Sequence, residues 1–67
     1  MQKLDNVYMP FKVYALMKKG GNTFLKSTQV NENSVQSALR KAEEYFYALA
    51  KRGKEKGKYQ IVMYKNV

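Results

Sequence analysis

Residues 11–30 read FKVYALMKKGGNTFLKSTQV and determine most of the predicted architecture. The segments on both sides of Gly20 and Gly21 are rich in the β-branched and aromatic residues that favour strands. Glycine accepts the positive φ angles that tight hairpin turns require. The pattern therefore predicts two antiparallel strands, over residues 11–19 and 23–30, joined as a β-hairpin.

The segment after the hairpin has the pattern of an amphipathic helix. Asn33 or Ser34 is a suitable N-cap, and apolar residues then recur at the three- and four-residue spacing of one helical face. Gly53 suits the left-handed conformation that follows a last helical turn, with Gly57 as the alternative one turn later. A helix is therefore predicted over residues 34–53. Its predicted buried positions are Val35, Ala38, Leu39, Ala42, Phe46 and Leu49, with Tyr45 on the flank.

A third strand is predicted over residues 58–66, where side chains alternate around Ile61 and Val62. A right-handed crossover through the helix places this strand beside the first, which gives the sheet order 2-1-3 and mainly antiparallel pairing. We expect a single α+β domain over residues 1–67, with ββαβ order and the helix packed on one face of the sheet. Residues 1–9 are open to four interpretations: an edge strand, a segment that lies across the sheet, an arm that grips a partner subunit, or a frayed terminus.

The chain is short and strongly basic, with 67 residues and 13 Lys and Arg against five Asp and Glu, a net charge of +8. Such a charge attracts phosphate-rich partners, although lysine also serves solubility. There are no cysteines to supply disulfides and no histidines. Neither a pair of acids at a strand end nor a glycine-rich loop before a helix is present. We therefore expect no catalytic activity, no metal and no cofactor.

Many of the cations fall in two segments that the predicted topology brings together. In a ββαβ unit, the hairpin tip and the C-terminal end of the helix lie at the same end of the sheet. We call this predicted surface the basic pole, and Glu55 is the single acid within it. The alternative role for cations in the last helical turn is to complement the helix dipole. The members of the basic pole are Lys18, Lys19, Lys51, Arg52, Lys54, Lys56 and Lys58.

One face of the predicted sheet has no helix over it. Strand alternation places Lys12, Tyr14 and Lys18 on this face from the first strand, and Lys58 and Tyr64 from the third. Tyrosine rings beside lysines suit base stacking together with phosphate contacts, whereas tyrosines in strands more often serve packing. The face is a second predicted nucleic-acid contact.

The register of the second strand depends on the length of the turn. A two-residue turn would put Lys26 on the helix-covered face, where burial of its charge would be costly. A three-residue turn is therefore favoured, with Lys26 on the uncovered face among the binding residues and Leu25 in the core. Leu16, Phe24 and Val62 would also lie on the uncovered face.

Two functions are consistent with this pattern. The first is a nucleic-acid-binding protein, for DNA or RNA, that contacts mainly backbone phosphates. The alternative is a protein-interaction module, either a homodimer or an inhibitor of an acidic protein, that uses the uncovered sheet face or an edge strand. The small size, basicity and lack of catalytic groups are typical of accessory proteins of viruses and mobile elements.

The longest uninterrupted apolar run is the six-residue segment 45–50, far short of the roughly 20 residues that a membrane span requires. The N-terminal residues also lack the apolar region of a signal peptide. No membrane partner is expected, and a cytoplasmic location is predicted.

Overall fold

The fold is a three-stranded antiparallel sheet with one helix on one face. It was obtained as a computed structural model that describes residues 7–53 and 56–67. The elements are β1 (Met9–Lys19), β2 (Asn22–Glu32), α1 (Val35–Lys51) and β3 (Lys58–Asn66). The strand order is β2-β1-β3. The predicted α+β class, ββαβ order and sheet order are confirmed.

β1 is the central strand and begins two residues earlier than predicted, so that Pro10 is its second residue. Proline has no N–H group, but its carbonyl group can still accept hydrogen bonds. The Pro10 carbonyl accepts from the Asn66 Nδ2 at 2.7 Å and from the Val67 backbone N–H at 3.0 Å. These contacts hold the C-terminal end of β3 against β1.

The turn between β1 and β2 has two residues. Lys19 pairs with Asn22, and the intervening Gly20 and Gly21 have φ angles of 61° and 80°. Positive φ at both central positions is the requirement of a type I′ turn, whose twist matches that of the flanking strands. The three-residue turn favoured from sequence is therefore wrong, because two consecutive glycines satisfy the tighter turn without strain.

The core lies between α1 and one face of β1. Phe11, Val13, Ala15 and Met17 are between 0% and 3% exposed, as the alternation along β1 predicts. The buried helix residues are Ala38, Ala42, Phe46 and Ala50, with Leu39, Leu49, Tyr59 and Ile61 packed around the same cluster.

Three of the four buried helix residues are alanines, which let α1 approach the sheet closely and leave Phe46 as the large side chain in between. Ala50 was not among the predicted buried positions. Val35 was, but it is 36% exposed, whereas Tyr45, predicted on the flank, is 43% exposed. The buried stripe therefore runs further toward the C-terminal end of α1 than its larger apolar residues suggest.

Both ends of α1 have the predicted caps. Ser34 is the N-cap, and its hydroxyl accepts the backbone N–H of Ser37 at 3.1 Å. Arg52 is the C-cap, and Gly53 follows it with a φ of 86°. These caps satisfy backbone groups that a helix leaves without partners at its ends.

β3 contains a bulge. Ala15 pairs with Ile61 and Tyr14 pairs with Met63, which leaves Val62 as an extra residue. An extra residue exchanges the faces of all side chains that follow it in the strand. Ile61 therefore faces α1, whereas Met63 lies on the opposite side of the sheet and is 50% exposed. Strict alternation along β3 predicts Met63 in the core beside Tyr59 and Ile61, and the bulge makes that prediction wrong.

α1 is the one helix within residues 7–53 and 56–67, and it is too short and too polar to cross a bilayer.

Candidate functional site

The sheet face opposite α1 is uncovered, and its composition follows from the pairing register. Residues directly opposite each other on neighbouring strands share a face. We call this surface the open face and describe it as rows across β2, β1 and β3. The rows are Thr23, Lys18 and Lys58; Leu25, Leu16 and Gln60; Ser27, Tyr14 and Met63; and Gln29, Lys12 and Lys65.

Lysines lie directly opposite each other at both ends of the open face. Lys18 pairs with Lys58, and Lys12 pairs with Lys65. Like charges in directly opposed positions destabilise a sheet. Lys18 lies six residue positions along β1 from Lys12, so the two pairs are about 20 Å apart. We call these the paired lysines.

No described acid compensates the paired lysines on the open face. Glu32 is opposite Met9, which belongs to the face that carries α1. Glu43 and Glu44 are on α1 itself. These three glutamates are the only acidic residues in the parts of the chain that the structure describes. The open face therefore has a positive potential that an external anion can neutralise.

Between the paired lysines, the open face is apolar and partly exposed. Leu16, Leu25 and Met63 are 41%, 59% and 50% exposed. Tyr14 is half-buried among them, and the Lys12 amine lies 5.6 Å from the centroid of its ring. An apolar centre with cations at both ends suits a ligand that has both apolar surfaces and negative charges.

A groove lies beside the hairpin turn, at the end of the molecule where the basic pole was predicted. Its walls are the two turn glycines and the first two residues of β2, residues 20–23, together with Lys18, Lys19, Lys56 and Lys58. We call it the pole groove. It brings Lys56 next to one pair of the paired lysines and thereby joins the pole to the open face.

Gly57 brings the segment before β3 into close contact with β1 and with the end of α1, beside the pole groove. Its backbone N–H donates to the Ala50 carbonyl at 2.7 Å, at the end of α1. A Cβ atom at this position would lie 2.8 Å from the Lys18 carbonyl oxygen and 3.1 Å from the side chain of Lys19. Because that contact is shorter than real Cβ atoms show, only glycine fits this close approach without a shift of backbone.

Lys19 has a structural role at the same pole. Its amine donates to the Leu49 carbonyl at 3.0 Å and also to the Arg52 carbonyl. These carbonyl groups are at the C-terminal end of α1, where the helix dipole is negative. Lys19 therefore caps the helix across the fold, and part of its charge is already compensated.

The other predicted members of the basic pole have different surroundings. Arg52 is the exposed C-cap of α1, and its backbone N–H donates to the Leu49 carbonyl at 3.2 Å. The Lys51 amine lies 4.9 Å from the centroid of the Tyr47 ring, a cation–π contact on the helix surface. Lys54 lies outside the described residues, as does Glu55.

Lys26 and Tyr64, both predicted on the open face, lie on the face that carries α1. Lys26 is opposite Ala15, and Tyr64 is opposite Val13. Lys26 is nevertheless exposed, because β2 is an edge strand and its amine extends to solvent, 6.0 Å from the ring centroid of Phe24. The charge is not buried, so the desolvation cost expected of the two-residue turn does not arise.

The same two-residue turn exchanges the faces of the rest of β2. Leu25 is on the open face and not in the core, whereas Phe24 faces the helix side with 38% of its surface exposed.

Lys65 was not among the predicted binding residues. Strict alternation along β3 assigns it to the side of Tyr59 and Ile61, and the bulge at Val62 reverses that assignment. Neither glycine nor proline marks the bulge in the sequence. The one sequence signal for a bulge is that strict alternation would have placed the charged Lys65 on the core side, which is unfavourable.

A shallow hollow lies on the open face next to the pole groove. It is lined by Leu16, Lys18, Lys58, Tyr59 and Gln60. We call it the sheet hollow. It shares Lys18 and Lys58 with the pole groove. These two amines therefore lie between the polar pole groove and the partly apolar sheet hollow.

Tyr59 lies on the helix-bearing side of the sheet. Burial raises the pKa of the Tyr59 phenol above its ordinary value of 10.0, and Glu43 and Tyr47 add to the rise. Its ring lies 6.2 Å from that of Phe46 in the core. Tyr59 is therefore part of the packing between β3 and α1.

Within the described residues, no group of three or more His, Cys, Asp or Glu side chains is placed to hold a metal ion. Comparison with protein-family models, with curated proteins and with solved structures found no match to this chain.

Proposed function

We propose that the protein binds nucleic acid, without catalysing a reaction, and contacts mainly backbone phosphates. The observation that carries this proposal is the set of paired lysines on an open face that holds no described acid. The repulsion between the opposed lysines destabilises the free protein. A ligand phosphate placed between their amines would be attracted to both and would offset that repulsion.

The pole groove supports the same proposal. Lys56 adds a third amine beside Lys18 and Lys58, and Gly57 holds it there through its close contact with β1. The glycines of the hairpin turn have no side chains, so a phosphate can approach the backbone closely. Lysine amines bind phosphates as point charges and impose little sequence preference, so mainly backbone contacts are expected.

The dependence of affinity on salt tests the proposal. Five lysines belong to the proposed surface: Lys12, Lys18, Lys56, Lys58 and Lys65. If each meets a phosphate, the slope of log affinity against log salt approaches about −3.5 for a single strand and about −4.5 for a duplex. Fluorescence anisotropy with labelled oligonucleotides measures this slope. An affinity that salt does not change, or no binding at low salt, contradicts the proposal.

A pair of double variants separates this surface from the overall charge. K18Q/K58Q removes one pair of opposed lysines, and we expect the salt slope to fall in magnitude by about 1.4 for a single strand and about 1.8 for a duplex. K26Q/K41Q removes the same charge from exposed positions on the other side of the sheet and on α1. The second variant should bind almost as the natural chain does. Equal losses in both variants would mean that binding follows net charge alone.

A protein-interaction function is the second candidate, because Leu16, Leu25 and Met63 leave an apolar centre on the open face. A homodimer through this face would have to bring two sets of paired lysines together, which their repulsion opposes. An acidic protein partner would not meet that obstacle. Sedimentation equilibrium at low and high salt distinguishes these cases, since a homodimer of this kind should strengthen as salt screens the repulsion.

The proposal includes a cytoplasmic location and the class of small accessory proteins of viruses and mobile elements. The support is the combination of high positive charge and small size in a chain that lacks cysteine.

A further inference from the structure

We infer that the ligand of the open face is single-stranded nucleic acid, with an unpaired base in the sheet hollow and its neighbouring phosphate between Lys18 and Lys58. This inference rests on the proposed function and specifies the form of nucleic acid that the same surface accepts.

The order of chemical groups along β1 and β3 is the first argument. The pole groove, the amines of Lys18 and Lys58, and the row of Leu16 and Gln60 follow one another along the open face. Successive rows on one face are about 7 Å apart. A nucleotide has the same sequence of properties at a similar scale: a charged phosphate, then a flat ring with a polar edge. The Gln60 amide can both donate to and accept from such an edge.

The width of the surface is the second argument. The major groove of B-form DNA is about 12 Å wide and admits a helix or a two-stranded ribbon. The open face has three strands and carries α1 on its back, so it is too wide to reach base edges in an undistorted major groove. A duplex could offer this surface only phosphates, and its paired bases would leave Leu16 and Met63 uncovered.

The apolar centre between the paired lysines is the third argument. A single strand that follows β1 from Lys18 toward Lys12 places phosphates near both lysine pairs and its bases over Leu16 and Tyr14. Aromatic side chains that stack with bases are the common feature of proteins that bind single strands. The Lys12 amine, which lies 5.6 Å from the centroid of the Tyr14 ring, can move from the ring to a phosphate when a base arrives.

The test compares a labelled oligonucleotide as a single strand and as a blunt duplex with its complement, both as DNA and as RNA, at the same salt concentrations. We expect the single strand to bind at least about tenfold more tightly, since the loss of one stacked base alone changes affinity by roughly that factor. Equal affinities or a preference for the duplex overturn the inference and leave the proposed function standing. No binding of any form at low salt refutes the proposed function itself.

Two tyrosine variants give a matched control. Y14T removes the ring from the open face, whereas Y64T removes a ring from the opposite side of the sheet, where Tyr64 is 47% exposed. Y14T should weaken single-strand binding by about fivefold or more and leave duplex binding within about twofold. Y64T should change neither. Equal effects of the two variants contradict a stacking role for Tyr14.

A measurement on the natural chain tests the inference without depending on whether the variants fold. The Leu16 methyl groups and the Gln60 side-chain amide give separate nuclear magnetic resonance signals. Both should shift when a thymine single strand is added, and the duplex should leave them almost unchanged. Shifts confined to Lys18, Lys56 and Lys58 with either ligand would show phosphate contact without a seated base and would overturn the inference.

Discussion

Single residues at the pole show that cations of similar sequence context have different roles. Lys18 and Lys19 are adjacent, yet Lys18 lines the open face and Lys19 caps α1 through the Leu49 and Arg52 carbonyls. A strand alternates its side chains between faces, which places one of these neighbours on the open face and the other against the end of α1. The helix-dipole role considered for Lys51 and Arg52 is therefore filled most directly by Lys19, which is 30 residues from Leu49.

The role of Lys19 predicts a loss of stability when its amine is removed. K19M keeps most of the side-chain length but removes the amine that donates to the Arg52 carbonyl and one of the two donors to the Leu49 carbonyl, and we expect a cost of about 1–2 kcal/mol. K26M, which removes an equally charged but exposed amine, should cost less than about 0.5 kcal/mol. Urea denaturation measures both. Equal stabilities of K19M and K26M would show that the cap contributes nothing.

Gly57 is predicted to be intolerant of any side chain. In G57A the new methyl group would meet the Lys18 carbonyl, so the segment before β3 must shift, at a cost of about 1–3 kcal/mol. The shift would also move Lys56 away from the pole groove and weaken nucleic-acid binding.

The control for G57A is G53N. Gly53 has a positive φ that asparagine tolerates, and nothing lies within 4 Å of a Cβ atom there. We expect G53N to unfold at nearly the urea concentration of the natural chain. If G57A does the same, the close approach of Gly57 to β1 is not important.

Tyr59 gives a prediction for alkaline pH. Its pKa is raised in the folded state, so above the ordinary value of 10.0 the unfolded chain loses this proton first, and stability falls as pH rises through the folded pKa. The Y59F variant cannot lose that proton. The free energy of unfolding should therefore fall more steeply with pH in the natural chain than in Y59F above about pH 10. Parallel curves would contradict a raised pKa.

At the scale of elements, β3 shapes the open face because its bulge changes which side chains appear there. Before the bulge, Lys58 and Gln60 alternate with Tyr59 and Ile61 as expected. After Val62, the faces exchange and Lys65 comes opposite Lys12. The second pair of opposed lysines therefore exists only because of the bulge.

The paired lysines predict that stability and binding change in opposite directions. K18Q/K58Q removes a repulsive cross-strand pair, so the free energy of unfolding should rise by about 0.2–1 kcal/mol while nucleic-acid binding weakens. The gain should shrink at high salt, where the repulsion is screened. K26Q/K41Q is the charge-matched control and should gain less. A destabilised K18Q/K58Q would show that the two lysines do not repel each other measurably.

At the scale of the whole molecule, features that depend on local sequence were predictable. The alternation of β1, the Ser34 cap and the end of α1 before Gly53 each follow from residues within one turn or strand, and the sheet order follows from the handedness of the crossover. The convergence of the hairpin turn with the segment before β3 followed from that order.

Features that depend on register were not predictable. The choice between a two- and a three-residue turn was made from the cost of burying Lys26, but an edge position leaves that lysine exposed. The bulge at Val62 has no local marker, and it reassigns Tyr64, Met63 and Lys65 together. The predicted placement of side chains on the open face was therefore correct for β1 and for the start of β3, and wrong for β2 and the end of β3.

The position of β3 also has a consequence for the order in which the molecule assembles. β2 pairs with β1 through a two-residue turn, whereas β3 reaches β1 only after α1 has crossed the sheet. Contacts between distant parts of a chain form more slowly than local ones, so β3 is expected to dock late in folding and to detach early in unfolding. Its docking supplies Lys58, Gln60 and Lys65 to the open face. The hairpin alone thus lacks one lysine of each pair. A ligand that contacts both β1 and β3 should therefore slow the detachment of β3 from the sheet.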